Sequence, residues 1–237
     1  MSGRQFRSSI SNAFRYLLDP CLCIGCGQSL KPSQHFCSVC ASQLVCIDSA
    51  CHLCGLENNN SGSICAACLY DPPRWQKIIA PLIYRGFGRD LLIQLKFGES
   101  LYLANSLVSS LIDHFQPSGP YPEVLIPVPL HQNRLIHRGY NQAFEIADIM
   151  SRLLDIPIDT QALQRVRHTE SQLGLSANQR EKNILKAFRY ESVLNYSHVA
   201  VVDDIVTSGS TANEITKTLH RAGVTNVEIW GLARVLL

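Results

Sequence analysis

Residues 198–214 read HVAVVDDIVTSGSTANE. Val199–Val202 is an apolar, β-branched run, short enough for one buried strand. It stops at two adjacent acids, Asp203 and Asp204, which places them at the strand's carboxyl end. Ile205 and Val206 follow, then a loop of small hydroxyl residues around one glycine: Thr207, Ser208, Gly209, Ser210 and Thr211. From Ala212 the pattern is helical, with Ile215, Leu219 and Ala222 on one face and Gly223 as the stop. Ser210 or Thr211 is expected to cap that helix, its oxygen taking an amide of the first turn. Small residues at a helix start let backbone amides approach an anion that the helix dipole also favours. The two acids would repel a phosphate but suit hydroxyl groups, to which a carboxylate is a strong acceptor. A ligand with a phosphate at one end and a vicinal diol at the other is a ribose 5-phosphate. A plain strand-turn-helix with solvated acids is the alternative reading.

This order resembles the phosphoribosyl pyrophosphate (PRPP) motif of type I phosphoribosyltransferases. The resemblance implies that Asp203 and Asp204 hold the ribose 2′ and 3′ hydroxyls, and that Thr207, Ser208, Gly209, Ser210 and Thr211 wrap the 5′-phosphate. Ser208 stands where the family often has a second threonine.

The chain has 237 residues, enough for one full domain and a small one. Hydrophobic residues make up 46% and charged residues 17%, which predicts a real core rather than disorder. A net charge of +2 argues against a whole-molecule pull on polyanions and leaves room for a local basic patch. No apolar run approaches the length of a membrane span, and Ser8, Ser9, Ser11, Asn12 and Arg15 break any signal-peptide core. The expected location is cytoplasmic, where the 10 cysteines would stay out of disulfides. Residues 1–20 contain an amphipathic helix pattern over 4–18, with Arg4, Arg7 and Arg15 beside its apolar face. Such a helix docks on the protein itself or lies on the inner face of the membrane.

Residues 21–73 carry an internal repeat. Cys23 and Cys26 are followed by Cys37 and Cys40; Cys51 and Cys54 are followed by Cys65 and Cys68, 28 residues further on. Pairs of Cys-x-x-Cys turns offer a tetrahedral thiolate shell, which suits Zn²⁺, so two structural zinc ions are expected. Which pairs share a metal is left open, and disulfides or a redox dithiol are the alternatives. Gly27 and Gly55 follow the first turn of each module, where amides fold back toward sulfur. Cys21 and Cys46 fall outside the pattern. Asp71-Pro72-Pro73 marks a boundary.

Residues 74–237 alternate strands and helices. Expected strands are 78–84, 123–128, 161–166, the central run and 226–236. Expected helices are 88–97, 101–115, 140–154 and 176–186. The fold class is α/β: a mostly parallel sheet flanked by helices, with a small N-terminal zinc-binding region and ligands at the strand carboxyl ends. Three further patches carry chemistry. Pro127, Val128 and Pro129 stiffen a strand end, with Val128–Pro129 a candidate cis bond, and lead into a basic loop whose Arg134 and Arg138 offer planar forks for phosphate oxygens. Arg165–Asn183 is polar and reads as a lid or a surface helix-loop. Lys96, in Leu95-Lys96-Phe97-Gly98, reads most simply as a solvated lysine after a helix.

Taken together, the LKFG segment, VPL…R…RGYNQA, T…Q..LS…R..N…AF, VVDDIVTSGST and the Cys-rich head resemble the ComF family, a branch of phosphoribosyltransferase-like proteins tied to DNA uptake. The resemblance covers nearly the whole chain after Pro20. It implies binding of PRPP or ribose 5-phosphate with Mg²⁺, Lys96 among the PRPP-binding residues, pyrophosphate held by the Pro129–Arg138 loop with Pro129, Arg134 and Arg138, and a mobile hood over His168–Asn183. It implies phosphoribosyl transfer to an acceptor, in competence. The alternative is a non-enzymatic PRPP sensor or scaffold that binds single-stranded DNA or the DNA-uptake machinery at the inner membrane. Phe36, Trp75 and Tyr140 are among its few candidate stacking aromatics.

Overall fold

The computed structural model describes residues 22–31, 34–58, 63–96, 101–115, 119–131, 135–136, 139–167 and 183–236. The expected helix over 4–18, Phe97, Arg134, Arg138 and the segment 168–182 lie outside the described residues.

The Cys-rich segment contributes two short helices, α1 (Ser38–Ser42) and α2 (Ala66–Tyr70). Then come β1 (Lys77–Ile79), β2 (Leu82–Ile83), α3 (Gly86–Lys96) and α4 (Leu101–Leu111), the last running into a 3₁₀ turn, Ile112–Phe115. β3 (Val124–Pro127) leads to α5 (Gln142–Leu154), and β4 (Leu163–Arg165) to β5 (Phe188–Tyr190). The chain closes with β6 (His198–Val206), α6 (Ser210–Arg221) and β7 (Asn226–Arg234).

The main sheet is parallel, in the order β1-β7-β6-β3, with β2 also on β7. The strand expected over 78–84 is split. β1 and β2 keep one register along β7, Ile79 facing Trp230 and Leu82 facing Ala233, but Pro81 has no amide to donate, and pairing lapses around it. The strand expected over 161–166 does not enter this sheet. Its core, β4, pairs antiparallel with β5, which the hydrophobic pattern does not announce, because the chain reverses between them. No peptide bond among the described residues is cis, so Val128–Pro129 is trans.

Both faces of the sheet are covered. Leu125, Ala200, Val202, Trp230 and Leu232 pack on one face with residues of α3, α4 and α5. Val124, Ile126, Val199, Val201, Val227 and Ile229 pack on the other with Ala212, Ile215 and Leu219 of α6 and Phe188 of β5. Burial on both faces is why the central strands read as continuous apolar runs. Cys23, Phe36, Cys37 and Cys40 join the first of these cores beside Leu82, Leu91 and Leu92, so the first Cys module shares packing with the α/β region. On α6 the buried face is Ala212, Ile215 and Leu219; Ala222 is the exposed C-cap, and Gly223 has φ 97°.

Candidate ribose-phosphate site and metal centres

The acids lie inside the strand, not beyond its end. β6 continues through Asp203 and Asp204 to Val206, with Asp203 facing Gly231 and Val206 facing Arg234. The alternation of side chains slips at the acid pair. Ile205 packs with the core of Ala200 and Val202, and Val206 with that of Val199 and Val201. The local amides explain the slip: Asp204 N–H donates to Asp203 Oδ1 at 2.9 Å, and Ile205 N–H donates to Asp204 Oδ1 at 2.8 Å. The carboxylates thus accept from their own backbone, as Asx residues do at turns.

Lys96, the last residue of α3, places its Nζ 3.4 Å from Asp204 Oδ2. Spacing alone reads it as a solvated lysine; the fold brings it to the acid pair. Burial, reinforced by the charge of Asp204, pushes the Asp203 carboxyl up to about 8, against the pull of the Asp204 amide and Lys96. Asp203 thus holds its proton to higher pH than a free aspartate does. The pair is suited to exchange that proton for a ligand's hydroxyl groups or for a cation.

The basic loop is anchored at both ends. Val128 N–H donates to Val202 O at 2.8 Å, just before Pro129. After the loop, Gly139 has φ 77°, Tyr140 OH donates to Leu95 O, Asn141 Nδ2 donates to Val128 O at 3.0 Å, and Gln142 Nε2 donates to Lys96 O at 3.3 Å. The Tyr-Asn-Gln run ties the start of α5 to Lys96 and to the end of β3. Asn141 also caps α5, accepting from Ala143 N–H.

The small-residue loop departs from its expected cap. The N-cap of α6 is Gly209, at φ 79°, which has no side chain of its own, and the amide of Ser210, the first helical residue, donates to Ser208 Oγ at 3.4 Å. Ser208 and Ser210 also pair through their hydroxyls at 2.8 Å. A β-carbon on Gly209 would lie 2.9 Å from Trp75 Cη2, so glycine is required here by a neighbour as well as by φ. Trp75 and Arg234 are the residues that sequence reasoning missed as partners of this loop. Trp75 is 8% exposed, with its indole N–H on Leu53 O at 2.7 Å. Arg234 is 3% exposed and donates to Cys54 O at 2.9 Å, Val206 O at 3.0 Å and Thr207 O. An arginine after the apolar run Ile229–Ala233 was the available signal.

A separate cleft of about 500 Å³ runs along the later turns of α6, between Arg74, Lys186, Glu214, Lys217 and His220. It does not include the acid pair or the small-residue loop.

Each Cys module closes on itself. The sulfurs of Cys23, Cys26, Cys37 and Cys40 lie within 4.8 Å of one another, as do those of Cys51, Cys54, Cys65 and Cys68. Cys26 and Cys37 Sγ are 3.7 Å apart, and Cys54 and Cys65 Sγ 3.8 Å apart. Tetrahedral Zn²⁺ with bonds of about 2.3 Å requires sulfur separations of roughly 3.8 Å, so the donor sets fit zinc. Gly27 and Gly55 sit at φ 73° and 66°, and return their amides to Cys23 O and Cys51 O. Amides of Cys37 and Cys65 also point at Cys23 and Cys51 Sγ, each at 3.3 Å. Burial raises both of these thiols, but such amides outweigh it and pull each down to about 6. None of the nine described cysteines is in a disulfide.

Residues 141–235 match the phosphoribosyl transferase domain family. Competence protein F of Haemophilus influenzae is 36% identical over 221 residues, 90% of this chain and 96% of that one. The chain belongs to the ComF family. Another relative is DNA utilization protein YhgH of Escherichia coli K12, 36% identical over 84% of this chain and 90% of its own. Competence protein ComFC of Bacillus subtilis is 24% identical over 82% of this chain and 81% of its own. Among the described residues, no helix is long and apolar enough to cross a membrane.

Proposed function

We propose that this protein binds PRPP as its Mg²⁺ complex and transfers the phosphoribosyl group to an acceptor, in the handling of incoming DNA. One observation carries the reading: an acid pair on the central parallel strand is followed at once by a glycine-capped helix start lined by small hydroxyl residues. That puts diol acceptors and an anion-binding backbone five residues apart, as a ribose 5-phosphate needs.

In this reading Asp203 and Asp204 accept from the ribose 2′ and 3′ hydroxyls, while Thr207, Ser208, Gly209, Ser210 and Thr211 wrap the 5′-phosphate. Lys96 and the Pro129 loop face the pyrophosphate, and Arg134 and Arg138 neutralise it as it leaves. The bond from C1′ to the pyrophosphate oxygen breaks and one from C1′ to the acceptor forms. The adjacent carboxylates Asp203 and Asp204 would suit a hard cation such as Mg²⁺, which would supply charge neutralisation for the substrate phosphates. The two four-cysteine groups hold structural zinc, in a segment taken as 21–73, with the transferase-like domain over 74–237 and the 1–20 helix ahead of both. The relatives' names, competence protein F and DNA utilization protein YhgH, support a place in DNA handling, and the reading puts the protein in the cytoplasm, at the inner face of the membrane. The DNA-binding alternative is weaker: Phe36 and Trp75, two of its stacking candidates, are each only 8% exposed.

Calorimetric titration with PRPP, with and without Mg²⁺, tests binding, and pyrophosphate release with candidate acceptors tests transfer. Tight binding that depends on Mg²⁺ is the expected result. No PRPP binding under either condition, in protein that melts normally, overturns the reading.

A further inference from the structure

The second Cys module reaches the small-residue loop through two buried side chains. Arg234, from the end of β7, donates to Cys54 O inside the metal-ligating turn, and the same guanidinium donates to Val206 O and Thr207 O at the start of the loop. Trp75 bonds Leu53 O, one residue before Cys54, and its ring lies against Gly209. Two independent tethers thus connect the Cys51–Cys54 turn to the start and the middle of the loop. The first module is built differently. Its contacts lead to α3 and α4, through Phe36 on Phe87 with ring centroids 6.3 Å apart and through His35 Nδ1 to Ser106 Oγ at 3.0 Å.

A zinc ion on four thiolates leaves a net negative charge, and Arg234 is a buried cation hydrogen-bonded into one of the ligating turns. Closing the turn around a metal fixes the Leu53 and Cys54 carbonyls; releasing the metal frees them. The carbonyls that Arg234 and Trp75 hold would then no longer be fixed relative to Thr207 and Gly209.

We propose that Arg234 and Trp75 are positioning residues that couple metal occupancy of the second four-cysteine group to the shape of the phosphate-binding loop, so that this zinc, and not the first, sets ligand affinity. The proposal rests on the reading of Thr207–Thr211 as a phosphate loop.

The test uses the full chain with Cys26→Ser, Cys65→Ser, Arg234→Lys and the Cys65→Ser/Arg234→Lys double variant. Zinc content, thermal melting and ribose 5-phosphate affinity are measured for each. Each cysteine variant should hold about one zinc per chain, and Arg234→Lys about two. Ribose 5-phosphate affinity should fall about tenfold or more in Cys65→Ser and in Arg234→Lys, and change less than about threefold in Cys26→Ser. Lysine keeps the charge but cannot span the Cys54 and Thr207 carbonyls together. If Arg234 carries the coupling, the double variant should be no weaker than about twofold below Cys65→Ser alone. Equal losses in Cys26→Ser and Cys65→Ser, or losses that multiply in the double variant, would overturn the coupling.

A readout without ligand separates this idea from the site itself. The chain has two tryptophans, and Trp230→Phe leaves Trp75 as the reporter; the difference between wild type and Trp75→Phe reports it equally. Loss of zinc from the second module should red-shift Trp75 emission and admit acrylamide, while Cys26→Ser should not. If wild type binds no ribose 5-phosphate, the phosphate-site reading fails, and the emission alone decides the coupling: no change in Cys65→Ser rejects it.

Discussion

Lys96 Nζ stands 3.4 Å from Asp204 Oδ2, joining the last residue of α3 to the central strand across more than a hundred residues of chain. The contact sets a cation beside one of two adjacent acids, the other of which holds its proton to raised pH. Lys96→Met should therefore do two things. Without its charge, Asp203 should hold its proton to still higher pH, so the pH at which PRPP affinity reaches half its maximum should move upward. Affinity near neutrality should fall by roughly two- to fivefold, in keeping with an ion pair that is partly solvated. Calorimetric titration across pH checks both. An unmoved midpoint would mean that Lys96 touches only the pyrophosphate.

The acids themselves give a larger effect. Asp204→Asn keeps shape and removes charge. A hydrogen bond to a charged group is worth about 1.5–3 kcal/mol, so PRPP affinity should fall by roughly one to two orders of magnitude. Asp203→Asn should do the same above about pH 8, where its carboxyl is ionised, if both acids hold the diol. Unchanged affinity in both variants, with normal melting, would leave a strand-turn-helix without a ribose site.

Asp203 also gives stability a pH dependence whose sign follows from its raised folded-state value of about 8. An unfolded aspartate ionises near pH 4. Between those limits the folded chain holds a proton that the unfolded chain has released, so stability falls as pH rises and levels off above the upper limit. Asp203→Asn cannot titrate and should lack this decline. Urea melts of ligand-free protein from pH 5 to 8, wild type beside the variant, should converge or cross rather than run parallel.

Gly209→Ala places a β-carbon both at φ 79° and 2.9 Å from Trp75. Left-handed backbone costs a non-glycine residue about 1–2 kcal/mol, so Tm should drop by roughly 2–8 °C for a chain of this size. Ribose 5-phosphate and PRPP affinity should fall together, and Gly209→Val should lose more of both. Full-strength phosphate binding in Gly209→Val would exclude a close backbone approach at this position.

Metal removal should be felt beyond the Cys-rich segment. Structural zinc contributes roughly 10 kcal/mol or more in zinc-finger peptides, and Cys23, Cys37 and Cys40 sit in the same core as Leu91 and Leu92 of α3. Intact protein should hold about two zinc ions per chain. After chelation, amide exchange should rise in 22–70 and also in 86–96. Protection unchanged over 86–96 would show that the head loosens without disturbing the helix it packs on.

Much of this could be read from the chain alone, because the signals are local. The run from Val199 to Thr211 and the 28-residue Cys repeat each place their donors within one turn or one hairpin, where spacing dictates geometry. Continuous apolar strands separated by amphipathic helices dictate a parallel sheet covered on both faces, since nothing else buries them. Pairing of the cysteines within each module, left open by spacing, is decided by how the knuckles fold.

The rest depended on which segments meet. Pro81 splits a strand only because β7 asks that segment for amides; β4 leaves the sheet because β5 returns beside it. Lys96 is an ordinary lysine until α3 ends over Asp204, and Trp75 and Arg234 are an aromatic in a polar stretch and a cation at a strand end until they bridge a metal-ligating turn to a loop more than a hundred residues away. Residue type and spacing determine which groups are available and what each is able to bind. Packing decides which groups share a small volume of low dielectric, where a charge or a glycine acquires its role.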